Sequence, residues 1–141
     1  MKLFLDTSSL FKLYYQETGS HEIESVFTTH AITTIFLSEL AKIEFSATLW
    51  RKVRMQEIRE PQAKVIIKSF EKDFDKYDFV QMDTVVIKQA RKLLLKYGSQ
   101  GLRTLDSIQL ATAVLLKSHA DLFLTADKLL DIFFKQEALP T

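Results

Sequence analysis

The stretch Met1–Leu13, MKLFLDTSSLFKL, decides how the rest of the chain is read. Leu3, Phe4 and Leu5 form an uninterrupted apolar run instead of an alternating one, the pattern of a strand covered on both faces by helices. Such a strand lies inside a sheet, and its C-terminal end faces the crevice in which open α/β sheets bind ligands. The first side chain to emerge there is the carboxylate of Asp6. Hydroxyl residues follow at Thr7, Ser8 and Ser9, and an apolar helix begins. Asp6 is therefore the first residue to examine for chemistry. Its competing role is that of a helix cap, in which Asp6 or Thr7 accepts a backbone N–H, and this stretch alone does not separate the two.

Outward from this strand, 141 residues with 47% apolar and 26% charged side chains match one ordinary globular domain, residues 1–141. Three Gly and two Pro leave little room for linkers. Cysteine is absent, which excludes thiolate metal sites and a disulfide framework and fits a reducing, cytoplasmic setting. The N-terminus reaches Asp6 too soon for a signal peptide's apolar region, and no run has transmembrane length. The formal net charge of +1, from 19 basic and 18 acidic residues, is uninformative about nucleic acid by itself. If four acids gather in one pocket, the rest of the surface carries 19 basic against 14 acidic residues, a modest excess compatible with phosphate contacts.

In chain order, a short helix is expected over 8–16, broken at Gly19, and a second over about 20–28. Ala31–Phe36 is β-branched and apolar, a second strand. Ser38 is placed to cap a long helix over about 39–59, with Leu40, Ile43, Ala47 and Trp50 as its apolar face. Pro61 suits the first turn of the next helix. Phe79–Met82 reads as a third strand. Thr84 caps a helix closed by Gly98 at the left-handed position after its last turn. Thr104 caps the helix of LRTLDSIQLATAVLL, and LFLT at Leu122–Thr125 is a fourth strand; a fifth is weakly marked near Glu137–Leu139. Strands alternating with helices predict a three-layer α/β/α sandwich on a four- to five-stranded parallel sheet.

In that architecture Asp6 follows the first strand, Asp127 the fourth, and Asp106 opens the helix leading to the fourth. Three like charges converging at one sheet edge are costly unless a cation neutralises them, and a hard divalent ion such as Mg²⁺ or Mn²⁺ takes carboxylate ligands readily. Each acid also has a structural alternative: Asp106 complements a helix dipole and Asp127 caps a helix. A fourth carboxylate is available on the long helix, where Glu39 and Glu44 border the apolar stripe on opposite sides; periodicity leaves both open.

Four segments together carry a resemblance: LDTSSLFKLY, LSELAKIEFSATLWRK, LRTLDSIQLATAV and LFLTADKLL, in this order and separation. The chain resembles PIN-domain proteins of the VapC toxin type over nearly its whole length. The resemblance implies an acidic site at Asp6, Glu44, Asp106 and Asp127, and it selects Glu44 over Glu39 because the family's glutamate follows its Ser by the distance from Ser38 to Glu44. Ala41 stands where the family often has Thr, and Gln109 where it frequently has His. Neither is a presumed ligand.

The resemblance and the acids agree on an endoribonuclease dependent on Mg²⁺ or Mn²⁺, with Asp6 and Asp106 as direct ligands and Glu44 and Asp127 acting through water or orienting it. Thr7, Ser8 and Thr125 are placed to orient the acids or cap helices. Arg51, Lys52, Arg103 and Lys128 are candidates to hold RNA phosphates. The scattered His21, His30 and His119 suggest surface positions and no histidine base. By resemblance, the partners are an RNA substrate, a cognate VapB-like antitoxin and a second copy in a homodimer, with no membrane; Trp50, Phe27 and Phe36 mark where an antitoxin groove is expected. Two rivals remain. One is a silent binding module that keeps the fold; the other is a haloacid-dehalogenase-like phosphatase, which would want a second Asp where Ser8 stands.

Overall fold

A computed structural model describes residues 1–141. The elements run β1 (Lys2–Leu5), α1 (Thr7–Phe11), α2 (Ser20–Thr29), β2 (Thr34–Ser38), α3 (Ala41–Arg54), α4 (Glu60–Lys72), β3 (Asp78–Val80), α5 (Thr84–Tyr97), α6 (Thr104–Leu115), β4 (Leu122–Leu124) and α7 (Lys128–Gln136). The four strands pair in parallel in the order β3-β2-β1-β4. From β1 the chain moves outward through β2 to β3, then returns across the sheet to lay β4 on the other side of β1. The reversal of direction therefore falls between β1 and β4, the place where α/β sheets open a ligand crevice.

The apolar run of β1 is buried as its pattern requires, and its side chains alternate between two cores. Phe4 packs with Phe123, Phe133 and Phe134 under α5, α6 and α7. Leu3 and Leu5 point the other way, into a cluster with Leu10, Phe45, Leu49 and Phe70 under α1, α3 and α4. Aromatic rings knit this second layer, with Phe45 and Phe70 centroids 4.4 Å apart and Phe70 and Phe74 4.9 Å apart. Ring pairs of this kind add about 0.5–1.5 kcal/mol each beyond burial.

Several local expectations shift. The helix after Asp6 ends at Phe11, and turns carry the chain to Gly19, whose φ of 94° is left-handed. Both faces of α3 carry apolar residues, but the buried one is Ala41, Phe45 and Leu49; Ile43 is 69% exposed and Ala47 is also on the surface. Asp83, not Thr84, caps α5 by accepting the Val86 N–H at 3.0 Å. Gly98 has a right-handed φ of −57°, and the left-handed glycine after α5 is Gly101, at 107°. Thr104 does not cap α6, which begins after Arg103 without a side-chain cap. No fifth strand forms at Glu137–Leu139; the tail gives β4 a single backbone bond, from Phe123 N–H to the Pro140 carbonyl at 2.8 Å. No helix is long and apolar enough to cross a membrane.

Candidate active site

The C-terminal ends of β1 and β4 and the flanks of α3 and α6 open onto one polar cleft of about 520 Å³, lined by Asp6, Glu44, Asp106 and Asp127 among other residues. The structure brings all four sequence-predicted acids together there. Glu39 lies outside, paired with Lys42 at 2.7 Å.

Asp6 combines the two roles that its sequence position left open. It is only 4% exposed and caps α1, accepting the Ser9 N–H at 3.0 Å. It also accepts hydroxyl bonds from Ser8 at 2.8 Å, Ser9 at 3.0 Å and, across the strand gap, Thr125 at 2.6 Å. Burial pushes its carboxyl up to about 6 against the downward pull of these donors, Thr125 first. Ser8 ties the two loops further, since its Oγ also accepts the Ala126 N–H at 2.9 Å.

Glu44 sits on the cleft side of α3 because Phe45, its neighbour in sequence, is turned into the core. Its Oε1 accepts the Thr7 hydroxyl at 2.8 Å and the Gln109 amide at 2.7 Å, and Gln109 Nε2 also donates to Thr7 Oγ1 at 3.0 Å. Gln109 is 2% exposed, and its Oε1 has no hydrogen-bond partner.

Asp106, in the first turn of α6, is half-buried and accepts no hydrogen bond from any side chain or backbone group outside its own helix. Its carboxyl is raised by burial first and then by the charges of Asp127 and Glu44, with Arg103 opposing. Asp127 caps α7 through Oδ1, which accepts the Leu130 N–H at 2.8 Å.

The donor set is that of a hard cation: carboxylates and hydroxyls, with no thiol or imidazole. Asp106 has two oxygens free of protein donors, and Glu44 Oε2 and Asp127 Oδ2 are free as well. A divalent ion would relieve the repulsion that raises Asp106, so the residues present fit one. They are not closed around a single point, however: no three acids or imidazoles stand close enough together to hold a metal as placed. Both Asp6 oxygens face hydroxyl donors, and Glu44 and Asp127 each spend one oxygen inside the protein.

The basic candidates divide. Arg51 and Lys52 line the cleft; Arg103 flanks Asp106 in an adjoining hollow, and Lys128 is exposed outside both. His21, His30 and His119 are all exposed. Sequence reading missed Lys12, Glu17 and Thr48 as lining residues and Gln109 as the partner of Glu44. Only Gln109 had a signal, as a long polar side chain inside an otherwise apolar helix turn.

The sequence matches the family described as PIN domain over residues 3–133. The chain belongs to the PIN-domain family. Solved structures carry the same fold on the PIN domain's scale. VapC20 of Mycobacterium tuberculosis, a toxin that cleaves the sarcin-ricin loop, aligns with a TM-score of 0.69 at 14% identity, covering 92% of this chain and 93% of that one. VapBC2 from Rickettsia felis, bound to a DNA fragment from their promoter, aligns at 0.61 and 13% identity over 90% of this chain and 88% of that one. No curated protein matches the sequence. Membership of the PIN family sets aside the dehalogenase-like phosphatase.

Proposed function

We propose that this PIN domain is a divalent-metal-dependent endoribonuclease and the toxin of a type II toxin–antitoxin pair. The observation that carries the reading is the convergence of Asp6, Glu44, Asp106 and Asp127 at the β1/β4 switch point, with Asp106 raised by burial and then by its acidic neighbours, and free of protein donors. Family membership and the two VapC-type folds support it.

In this reading Asp106 and Asp6 would hold Mg²⁺ or Mn²⁺. When bound, the ion supplies Lewis-acid polarisation of the phosphate and a lowered pKa for water. The remaining work falls to the chain. Ser8, Ser9 and Thr125 fix the Asp6 carboxylate, and Thr7 and Gln109 hold one Glu44 oxygen so that the other faces the cleft. Glu44 and Asp127 orient the attacking water, whose oxygen bonds to phosphorus as the bond to the leaving ribose oxygen breaks. A cognate VapB-like antitoxin and a homodimer complete the reading.

The decisive experiment incubates the pure protein with single-stranded RNA and Mn²⁺ or Mg²⁺, with and without EDTA. Cleavage that EDTA abolishes is expected. Cleavage undiminished by EDTA would overturn the metal dependence, and no cleavage with either ion would overturn the nuclease.

A further inference from the structure

The cleft has a second half that the acids do not use. Lys12, Arg51 and Lys52 line the same cavity as Asp6 and Glu44, and Glu17 stands among them. Glu17 accepts an ion pair from Lys12 at 2.9 Å through one oxygen and approaches Lys52 at 3.8 Å with the other. The two lysine side chains are only 12% and 19% exposed, low for ammonium groups facing a cleft.

Each lysine has an anchor that does not depend on Glu17. Lys12 Nζ donates to the Thr18 carbonyl at 2.6 Å. Lys52 pairs with Glu57 at 3.0 Å and rests over the rings of Tyr15 at 4.8 Å and Phe11 at 5.7 Å, which are themselves stacked 5.3 Å apart. Burial opposes the charge on Lys52, but the Glu57 bond and the charges of Glu57 and Glu17 outweigh it and hold its ammonium above the usual lysine range. Both cations therefore stay in position if the Glu17 carboxylate swings away. Beside them Arg51 is exposed and has no acidic partner.

We propose that Lys12, Arg51 and Lys52 form a phosphate subsite for the RNA strand next to the acidic centre, and that the Glu17 carboxylate is a built-in competitor that a substrate phosphate displaces. The proposal rests on the nuclease reading and names how that site holds its substrate. A phosphate oxygen offers the same acceptor chemistry as the carboxylate, and Arg51 adds a forked donor that Glu17 leaves unused. The arrangement makes strand binding selective. A lone weak anion gains nothing by replacing Glu17, whereas a phosphodiester tethered through neighbouring contacts replaces it at high effective concentration.

The test measures binding of a short labelled single-stranded oligoribonucleotide in EDTA, as a function of salt, to wild type, Glu17→Gln, Arg51→Gln and Lys52→Gln. Glu24→Gln, which neutralises an exposed acid on α2 outside the cleft, controls for net charge. Glu17→Gln should tighten binding by roughly two- to fivefold, the worth of one modest ion pair, and by more than Glu24→Gln does. Arg51→Gln and Lys52→Gln should each flatten the slope of log affinity against log salt by about 0.7, the loss of one single-strand phosphate contact. Equal effects of Glu17→Gln and Glu24→Gln would overturn the competitor, and unchanged slopes would overturn the subsite, also in the event that Glu17→Gln does not fold. If wild type cleaves RNA with Mn²⁺ yet the variants bind as it does, only this subsite falls. If it neither binds nor cleaves, the nuclease reading falls with it.

Discussion

Gln109 reaches from the buried face of α6 to Glu44 on α3, donating its amide across 2.7 Å while its own carbonyl oxygen is buried without a partner. The amide has one workable orientation, because the reverse would set its oxygen against the carboxylate. An unpaired buried carbonyl costs about 1–3 kcal/mol, which a leucine in this apolar stretch would not incur. The Gln109→Leu variant should accordingly melt close to wild type, while the Mn²⁺ concentration for half-maximal cleavage rises about 10- to 100-fold. Metal-titrated cleavage beside thermal melts separates the two effects; a matching loss of stability would make Gln109 a packing residue only.

Asp106→Asn and Asp6→Asn should both abolish cleavage but differ in stability. Asp106 accepts no side-chain hydrogen bond and is repelled by Asp127 and Glu44, so its neutral variant should be as stable as the metal-free wild type or about 1 kcal/mol more stable. Asp6 accepts from Ser8, Ser9 and Thr125, and an amide turns a donor toward one of those donors; in acid, where the wild-type carboxyl is protonated, its variant should therefore lose stability, a loss that ionisation of the wild type offsets as pH rises. Chemical denaturation of the two proteins without metal reads the difference directly. Destabilisation of Asp106→Asn as large as that of Asp6→Asn would place Asp106 among the structural acids.

The raised Asp6 carboxyl makes a pH prediction for the metal-free protein. The folded state holds its proton up to about pH 6, whereas the unfolded chain releases it near the ordinary aspartate value of 3.8. Between those values the folded state binds more protons, so this group's contribution to stability falls as pH rises through the window and is flat above it. The fall is up to about 3 kcal/mol. Comparing wild type with Asp6→Asn across the window isolates the contribution; identical slopes would remove it.

Metal should reverse that loss. An ion that binds only the folded state stabilises it by mass action, about 2.7 kcal/mol at a hundred times its dissociation constant. Melting temperatures of wild type should rise through a Mn²⁺ or Mg²⁺ titration and those of Asp106→Asn should rise less. Superimposable titrations would detach Asp106 from the metal.

How far these residues were legible in the sequence differs from case to case. Asp6 was readable because an unbroken apolar triplet has one comfortable place in an α/β sheet, and its burial follows from that place. The face of α3 was not. Ile43, Ala47 and Trp50 recur at helical spacing, as do Ala41, Phe45 and Leu49, and periodicity does not say which stripe meets the core. Asp83 and Thr84 are adjacent residues that both serve as helix caps, so the start of α5 was open by one position. Lys12 and Glu17 entered the cleft through the turns after a helix shorter than its pattern implied, a tertiary outcome with no local mark.

Production of the protein alone in bacteria should arrest growth, and co-expression of the small partner from the adjacent reading frame should relieve the arrest. Asp106→Asn should be harmless although folded. Normal growth with soluble, folded wild type would count against the toxin while leaving the nuclease to the cleavage assay.

The position of β1 has a consequence for the lifetime of the site. Leu3, Phe4 and Leu5 are fully buried and supply side chains to both cores; Leu3 and Phe4 are paired on both sides by β2 and β4, and Leu5 is paired with β4. Their amides should exchange with deuterium only when the entire domain unfolds, whereas the exposed ends of α2 and α5 exchange through local fraying. Asp6 follows Leu5 directly, as the cap of α1. The acidic cleft should thus be mounted on the last element to come apart, and a partly opened molecule would keep its central carboxylate in register long after its outer helices had loosened.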